Sequence, residues 1–503
     1  MADTLSKRTI KGLSWNFTKV MGQSILQFVI SVVLARLISP QEFGLLGLTV
    51  IFTGLASIFS NLGMGSAVIQ RKDLTPEHVR TAMTVSIMLG CVICGVFWII
   101  SPLSILLFNR VELVPLFRAI SLQFIFSGLT NVSLNLLMRN LQFKTIFFIE
   151  FNSYLIGNGL ISILLALHGF GVWSIVWGNL VYVVISSGLF AYFSKIPKRF
   201  LIKKDKFKEL IGFGGGVSGI SLLNYTANNV DYFVIGKMLS TYKLGIYTQA
   251  FQLMRLPLSK IAQTVSSVLM ASYSEIQDDT VRIRNSYLKS VNAVSLIAFP
   301  ILIGMAVNSE YIMLGIYGDK WAGSIESLRI LCIAGLFKVI LNLAGPVAQA
   351  TGNVYKELFR QFVYAVLLTI GSIVGVRFGI EGVAAAVVIA SIWLYVSMAQ
   401  VALKILNIKW IEFFKAQSAG FLVGSCVFIA CSLFILTTNI IFPFLTPLVK
   451  LFVVVFISAI TFFLSIIFLP KSVKGELPGQ IAGKIAQYLP DGLSSKMSKF
   501  FVD

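Results

Sequence analysis

The side chains in this sequence that could do chemistry are cations set where cations are costly. Lys19, Arg118, Arg255, Lys260, Arg329 and Lys338 fall inside long apolar runs, against few acids at comparable depth, chiefly Asp231 and Glu150. An ionisable group in such a run faces a wet cavity or a partner. The positive excess therefore asks for an anionic ligand, to which Arg offers paired hydrogen bonds and Lys a point charge, as for a diphosphate. Snorkelling toward the nearer membrane surface is the competing account for any single one of them. Amides reinforce the pattern. Asn16, Lys19, Gln23 and Gln27 share one helical face at i, i+3, i+7 and i+11, and Asn224, Asn228 and Asp231 form a second stripe. Gln252, Arg255, Ser259 and Gln263 form a third, and Lys338, Asn342 and Gln349 a fourth. Hydrogen bonding between helices accounts for Asn and Gln, but a shared polar cavity accounts for the Lys and Arg as well.

Covalent chemistry has no comparable signal. Gly214, Gly216 and Gly219 have dinucleotide-fingerprint spacing, yet they open an apolar run and follow no strand, so they read as close helix packing or a hinge. The sequence has no G-x-x-x-x-G-K-[ST] phosphate loop. Cys91, Cys94, Cys332, Cys426 and Cys431 all lie in apolar runs as small fillers, and Cys91-x-x-Cys94 lacks a second pair to complete a metal site. His78 and His168 are too few and too far apart to bind metal. Neither a cofactor nor a metal is expected.

The elements that must carry these residues follow from composition. Hydrophobic residues are 56% of the 503 positions and charged residues 12%, the latter about half the ~25% of a soluble domain. A spanning helix needs about 20 mainly apolar residues. Such runs occur at residues 15–38, 41–62, 81–107, 114–137, 146–167, 171–193, 209–236, 244–271, 287–307, 326–349, 360–376, 380–403, 417–437 and 448–469. The expected fold is an all-α integral membrane protein of about fourteen transmembrane helices. Lys7, Arg8 and Lys11 precede a long run with no small-residue cleavage site, which reads as a retained first helix rather than a signal peptide. Pro257, Pro300 and Pro346 within runs predict kinks.

The net charge of +20 would suggest a nucleic-acid partner in a soluble protein. Here it sorts by side: with the N-terminus inside, inner segments hold 28 Lys and Arg and outer segments 7. That asymmetry places both termini in the cytoplasm and assigns the charge to the membrane surface, with no nucleic acid. The tail 471–503, with Lys471, Lys484, Lys496 and Lys499 among apolar residues, is expected on the inner surface.

The chain also repeats itself. Ala35-Arg-Leu-Ile-Ser-Pro-Gln-Glu-Phe-Gly44-Leu45 aligns with Gly236-Lys-Met-Leu-Ser-Thr-Tyr-Lys-Leu-Gly245-Ile246 at an offset of 201, which also maps Gln23 and Gln27 onto Asn224 and Asn228. Arg118 and Asn131 match Arg329 and Asn342 at an offset of 211, and Gly169, Gly171 and Val172 resemble Gly379, Gly382 and Val383. We therefore expect a six-helix half over 1–194, a basic cytoplasmic linker over 195–208, a second six-helix half over 209–403, a terminal helix pair over 404–470 and the basic tail. An even helix number makes the halves parallel, with a cavity between them. Lys19, Arg118, Arg255 and Arg329 are expected to line it.

The basic start, the first helix running into Ala-Arg-Leu-Ile-Ser-Pro-Gln-Glu-Phe-Gly-Leu, and the later Leu62-Gly-Met-Gly-Ser66-Ala67 resemble the polysaccharide transporter family of the MOP exporter superfamily. The resemblance covers most of the chain, including the helix count and the position of the repeat. It implies a Wzx-type flippase in the bacterial inner membrane, moving an undecaprenyl-diphosphate-linked oligosaccharide to the outer leaflet for lipopolysaccharide or exopolysaccharide synthesis. It also implies alternating access, no cofactor, and as partners the lipid-linked oligosaccharide, membrane lipids and the polysaccharide polymerase machinery. The substrate-binding residues would be Lys19, Gln23, Gln27, Arg118, Asn224, Asn228, Asp231, Arg255, Lys260, Arg329 and Lys338.

Three other functions compete, one of them a channel or scaffold, against which the sequence carries no argument. A multidrug or cation antiporter of the same superfamily should have an acidic cavity, whereas this one is basic. A membrane enzyme of polysaccharide assembly needs a substantial outer loop bearing acid, base or metal-binding groups, and the longest, near residues 308–325, offers only Glu310 and Asp319. The topology has a direct test. A cysteine placed at Lys203 should stay unlabelled by a membrane-impermeant thiol reagent in intact cells and react after permeabilisation; labelling in intact cells would invert the orientation.

Overall fold

The bilayer core offers no water to backbone N–H and C=O groups, so a chain this apolar must close its hydrogen bonds within each segment. The computed structural model does so with helices and, among the described residues, no strand. It describes the chain except residues 1–20, 62–63, 66–67, 69–72, 195–200, 208, 210–221, 223–224, 227, 259–264, 267–268, 271, 274–275, 277–278, 442–443 and 469–503. The helices α1 (Met21–Leu37), α2 (Pro40–Asn61), α3 (Pro76–Ile100), α4 (Leu113–Arg139, interrupted at Leu122), α5 (Phe143–Leu167) and α6 (Val172–Phe193) come first. They are followed by α7 (Val230–Met238), α8 (Thr241–Pro257), α9 (Thr280–Val307) and α10 (Ile325–Ala350). The series ends with α11 (Val354–Gly375), α12 (Gly379–Leu406), α13 (Trp410–Ile441) and α14 (Pro447–Phe468). Ten segments among the described residues are long and apolar enough to cross a membrane, one of them, Val354–Leu406, containing both α11 and α12. The all-α membrane class stands on these; α1, α7 and α8 are shorter and adjoin residues outside the description.

Packing divides the chain into two compact units, Met1–Gly245 and Ile246–Asp503. The division falls inside α8, whereas the sequence repeat turns over at the linker 195–208, so α7 packs with the first unit. Within that unit the repeated motif meets its own copy. Ser39 caps α2: its Oγ accepts from the Glu42 N–H at 3.4 Å, and the Glu42 carboxylate accepts from the Ser39 N–H at 3.1 Å. With Pro40 at the first helical position, this is a capping box on a prearranged turn. The second copy keeps half of it, with the Lys243 N–H donating to Ser240 Oγ at 3.2 Å. The two helix starts then touch reciprocally. A Cβ on Gly44 would lie 1.8 Å from the Thr241 carbonyl oxygen, and one on Gly245 would lie 1.8 Å from that of Pro40. Since Pro40 and Thr241 are themselves repeat equivalents, each glycine receives the other copy's first helical residue. The free oxygen of Glu42 accepts from the Val172 N–H at 3.1 Å, fixing α6 to the same point.

Elsewhere in the first unit α3 and α4 cross where Gly90 meets the Phe124 carbonyl and Gly128 meets Ser86. In the second unit α9 packs on α13 at Gly420 and Ser295, and α11 on α12 at Gly375 and Gly382. Small residues at crossings are the usual route to close packing when lipid is as apolar as the helices. The five cysteines are free thiols.

The described part of the basic linker docks on the start of α3. Leu201 N–H donates to Thr84 Oγ1 at 3.1 Å, and Lys203 Nζ lies 2.5 Å from Glu77 Oε1. That hydrogen bond raises the Lys203 pKa above its ordinary value. Buried His78 accepts from the Thr75 N–H through Nδ1 at 3.2 Å, so Nε2 carries the proton and faces Glu209 at 3.1 Å. The contact ties Glu209, just past the linker, to the start of α3.

Gly44→Ala and Gly245→Ala should each lower the thermal midpoint of the purified protein, by an overpacking cost of about 1–3 kcal/mol or more. Gly95→Ala, where nothing lies within 4 Å of the added methyl, is the control and should not lower it. Equal midpoints for all three variants would show that the motif contact is not tight.

Candidate functional site

A binding site for an anion needs cations held away from carboxylates, and the candidate residues separate on that criterion. Lys19, Asn224 and Lys260, with Asn16, Ser259 and Gln263 of the stripes, lie outside the described residues. In the first unit, Gln23 and Gln27 are half-buried on α1 and make no side-chain hydrogen bond among the described residues. Arg118 is half-buried in the second turn of α4. Its Nε donates to Ser101 Oγ at 3.0 Å, and its guanidinium carbon sits 5.4 Å from the Trp98 ring centroid, so it is anchored to the end of α3. Asp231 is buried in the first turn of α7. Asn228 precedes that helix in a turn, where its N–H donates to the Tyr225 carbonyl at 3.2 Å. The Asn229 amide competes for the same carbonyl at 2.7 Å. The expected stripe through Asn228 and Asp231 assumed one unbroken helix; the turn interrupts it.

The second unit holds Arg255, Arg329 and Lys338. Arg329 was expected as a cation without an acidic partner, and here the structure differs. Its Nη1 lies 2.9 Å from Glu326 Oε2, both side chains being about half exposed, in the first turns of α10. An exposed pair of this kind contributes little to stability, and it neutralises the charge offered to a ligand. Arg255 is exposed on the last turn of α8 and makes no ion pair or hydrogen bond among the described residues.

Lys338 is placed differently from all of these. It stands at the midpoint of the 26-residue α10, roughly 19 Å from either end at about 1.5 Å per residue, too deep for its side chain to reach a surface. It pairs with no carboxylate among the described residues. Its Nζ lies 5.3 Å from the Phe251 ring centroid and 5.9 Å from that of Tyr364, so α8 and α11 supply two π faces beside the ammonium. Such contacts support a partly desolvated cation without neutralising it. Along the same face of α10, Asn342 and Gln349 are exposed, and Gln349 Nε2 donates to Glu357 at 3.2 Å. A polar face exposed on a membrane-crossing helix lines water or a polar ligand rather than lipid.

The first unit lacks this feature. The offset of 211 puts Ser127 where the second copy has Lys338, and Ser127 Oγ meets Ser60 Oγ at 3.0 Å. Thr130 and Ser187 hydroxyls meet at 2.6 Å, and Asn179 Nδ2 donates to Gln123 at 3.2 Å. These are interhelical hydrogen bonds, and sequence reading passed over them because single Ser and Thr residues in apolar runs carry no spacing signal. It also passed over Phe251 and Tyr364. Phe251 was within reach, four residues before Arg255 on one face of α8; nothing local marks Tyr364. No group of three or more His, Cys, Asp and Glu among the described residues could hold a metal ion.

A family model described as polysaccharide biosynthesis protein matches residues 33–326. The chain is 28% identical over 378 residues to the lipopolysaccharide biosynthesis protein WzxC of Escherichia coli (strain K12), covering 73% of this chain and 76% of that one. It is 26% identical over 353 residues to the teichuronic acid biosynthesis protein TuaB of Bacillus subtilis (strain 168), covering 70% and 73%. With the succinoglycan biosynthesis transport protein ExoT of Rhizobium meliloti (strain 1021) it shares 25% identity over 428 residues, 84% of each chain. Among solved structures, the lipid II flippase MurJ in an inward closed conformation superposes with a TM-score of 0.72 at 15% identity, covering 90% of this chain and 97% of that one. An inward-facing multidrug resistance MATE family transporter of the MOP superfamily gives a TM-score of 0.61 at 17% identity, covering 76% and 95%. At those identities the likeness is one of fold.

If Lys338 is kept for a ligand and not for packing, Lys338→Met should be at least as thermally stable as the parent. The change removes a mid-membrane charge worth about 2.5–3.5 kcal/mol on insertion scales, against the ~0.5–2 kcal/mol of its aromatic contacts. A fall in the thermal midpoint of the purified variant would assign Lys338 a structural role.

Proposed function

The chain belongs to the polysaccharide biosynthesis protein family, and on that premise we propose that it is a flippase carrying a lipid-linked oligosaccharide across the bacterial plasma membrane. The substrate we infer is an undecaprenyl-diphosphate-linked sugar, moved from the cytoplasmic to the outer leaflet by alternating access. The observation that carries this reading is Lys338: a cation at mid-membrane depth, flanked by two aromatic faces, with no carboxylate partner among the described residues. An anionic head group supplies the charge that the protein leaves out. The diphosphate would sit on Lys338, with Asn342 and Gln349 offering hydrogen bonds along the same face. Arg255 extends the positive field, and Gln23, Gln27, Asn228 and Asp231 are proposed as contacts on the strength of the sequence stripes alone. Lys19, Lys260 and Asn224 remain proposed contacts on the strength of the sequence stripes. Arg118, near a helix end, is proposed to attract the head group, whereas Arg329, whose charge Glu326 already pairs, is assigned no contact.

No covalent step is needed for this work, and we assign none. The driving task is to move a charged group through a low-dielectric layer, and a fixed cation lowers the barrier by replacing part of the lost hydration. Relatives named for polysaccharide biosynthesis and transport, and a shared fold with a lipid II flippase, support the cargo class. A cation antiporter of the same fold would repel its cargo at Lys338. Both termini and the linker 195–208 are proposed to be cytoplasmic, as the charge asymmetry requires.

Export of lipid-linked sugar in cells lacking the chromosomal copy tests the proposal. A charge-assisted contact contributes about 1.5–3 kcal/mol, so Lys338→Gln should slow export by about tenfold to a hundredfold at matched protein level, and Arg255→Gln less. Arg329→Gln should stay near wild type because its charge is already paired. Wild-type export from Lys338→Gln would return the head-group site to unknown.

A further inference from the structure

A second cationic feature lies away from Lys338, where the start of α11 meets the end of α12. There Asn353, just before α11, with Lys356 and Arg360 of that helix and Gln400 and Lys404 of the other, lines a cavity of about 440 Å³ with no carboxylate among the described residues of its wall. Arg360 is held in place by the backbone: Nε donates to the Ser397 carbonyl at 2.9 Å and Nη1 to the Lys356 carbonyl at 3.1 Å. A guanidinium has five N–H groups in a planar fork, so three remain for a ligand, already oriented. Lys356 and Lys404 are exposed and pair with no carboxylate among the described residues.

What the cavity adjoins identifies the kind of anion. On α12 the exposed face runs Ile389, Ile392, Val396, Gln400, Lys404, at steps of three and four residues, so a face that is apolar for its first three members turns polar and then cationic at the cavity. On α11 the exposed rings of Phe359 and Phe362 follow directly after Lys356. Both helices belong to an apolar membrane-crossing segment, so these apolar faces are the lipid-facing ones. A soluble anion would use the cavity and leave the stripes unused. A phospholipid uses both, its acyl chains on the stripes and its head group between Lys356, Arg360 and Lys404. We propose that this cavity is a binding site for an anionic membrane phospholipid. On the orientation given above it faces the cytoplasmic leaflet, where anionic lipid attracts such clusters. The site is independent of the Lys338 assignment and would stand if that failed.

The test uses the full-length protein purified in a neutral detergent and titrated with phosphatidylglycerol or phosphatidylcholine, with bound lipid counted by native mass spectrometry. Phosphatidylglycerol should bind at least fivefold more tightly than phosphatidylcholine, and the triple variant Lys356→Gln, Arg360→Gln, Lys404→Gln should lose that preference. Lys409→Gln with Lys415→Gln removes nearby charges outside the cavity and should keep it. Should the triple variant fail to fold, Lys404→Gln alone, an exposed side chain with no hydrogen bond among the described residues, should still weaken phosphatidylglycerol at least twofold. Equal loss in the Lys409 and Lys415 control would mean diffuse surface attraction and would overturn the proposal. So would inorganic pyrophosphate displacing the lipid at equal concentration, which would assign the cavity to a soluble anion.

Discussion

At Gly44 and Gly245 two chain segments 201 residues apart come into backbone contact, and the first unit is arranged around that meeting. No side chain fits there, because each glycine faces the carbonyl at the head of the other helix. The constraint falls on both copies of the motif, once as each partner of the same contact, and the repeat is legible there. Glu42 carries the arrangement outward to α6, whereas its counterpart Lys243 cannot accept a hydrogen bond. A reciprocal contact thus becomes an unequal pair of helix starts.

The same inequality appears in the charges. Repeat-related positions 127 and 338 hold a serine tied to another serine and a lysine tied to no carboxylate among the described residues. Arg118 and Arg329 are repeat equivalents as well, and both are engaged near helix ends, one by Ser101 and Trp98, the other by Glu326. A cation near a helix end costs little and is easily matched. One at mid-depth stays expensive unless something outside the protein completes it. Depth and pairing, more than number, separate Lys338 from the other basic residues.

The proposed lipid cavity extends that logic to the membrane boundary. Lys356, Arg360 and Lys404 are among the charges expected on the inner side, and the fold gathers them from two helices into one concave site. Orientation and lipid recognition would then draw on the same residues, the first through their number and the second through their geometry.

Much of the protein is determined by sequence alone. Apolar runs longer than a bilayer is thick call for helices, and the motifs at 35–45 and 236–246 give the repeat and the family, while the Lys and Arg distribution supplies the expected sidedness. The fourth stripe, Lys338, Asn342 and Gln349, is legible because one helix carries it and 3.6-residue periodicity keeps it on one face. Tertiary structure decided what periodicity cannot express. The turn at Asn228 interrupts a stripe that spacing alone would draw straight. Glu326 takes Arg329 out of the unpaired cations, although the i, i+3 spacing was readable. Phe251 and Tyr364 reach Lys338 from two other helices, and Lys356, Arg360 and Lys404 form a cavity only because α11 and α12 pack side by side. For the last two the physical reason is the same: a residue's own helix fixes its face and depth, but its partners are set by neighbouring elements, and pairing decides whether a buried charge is spent inside the fold or left for a ligand.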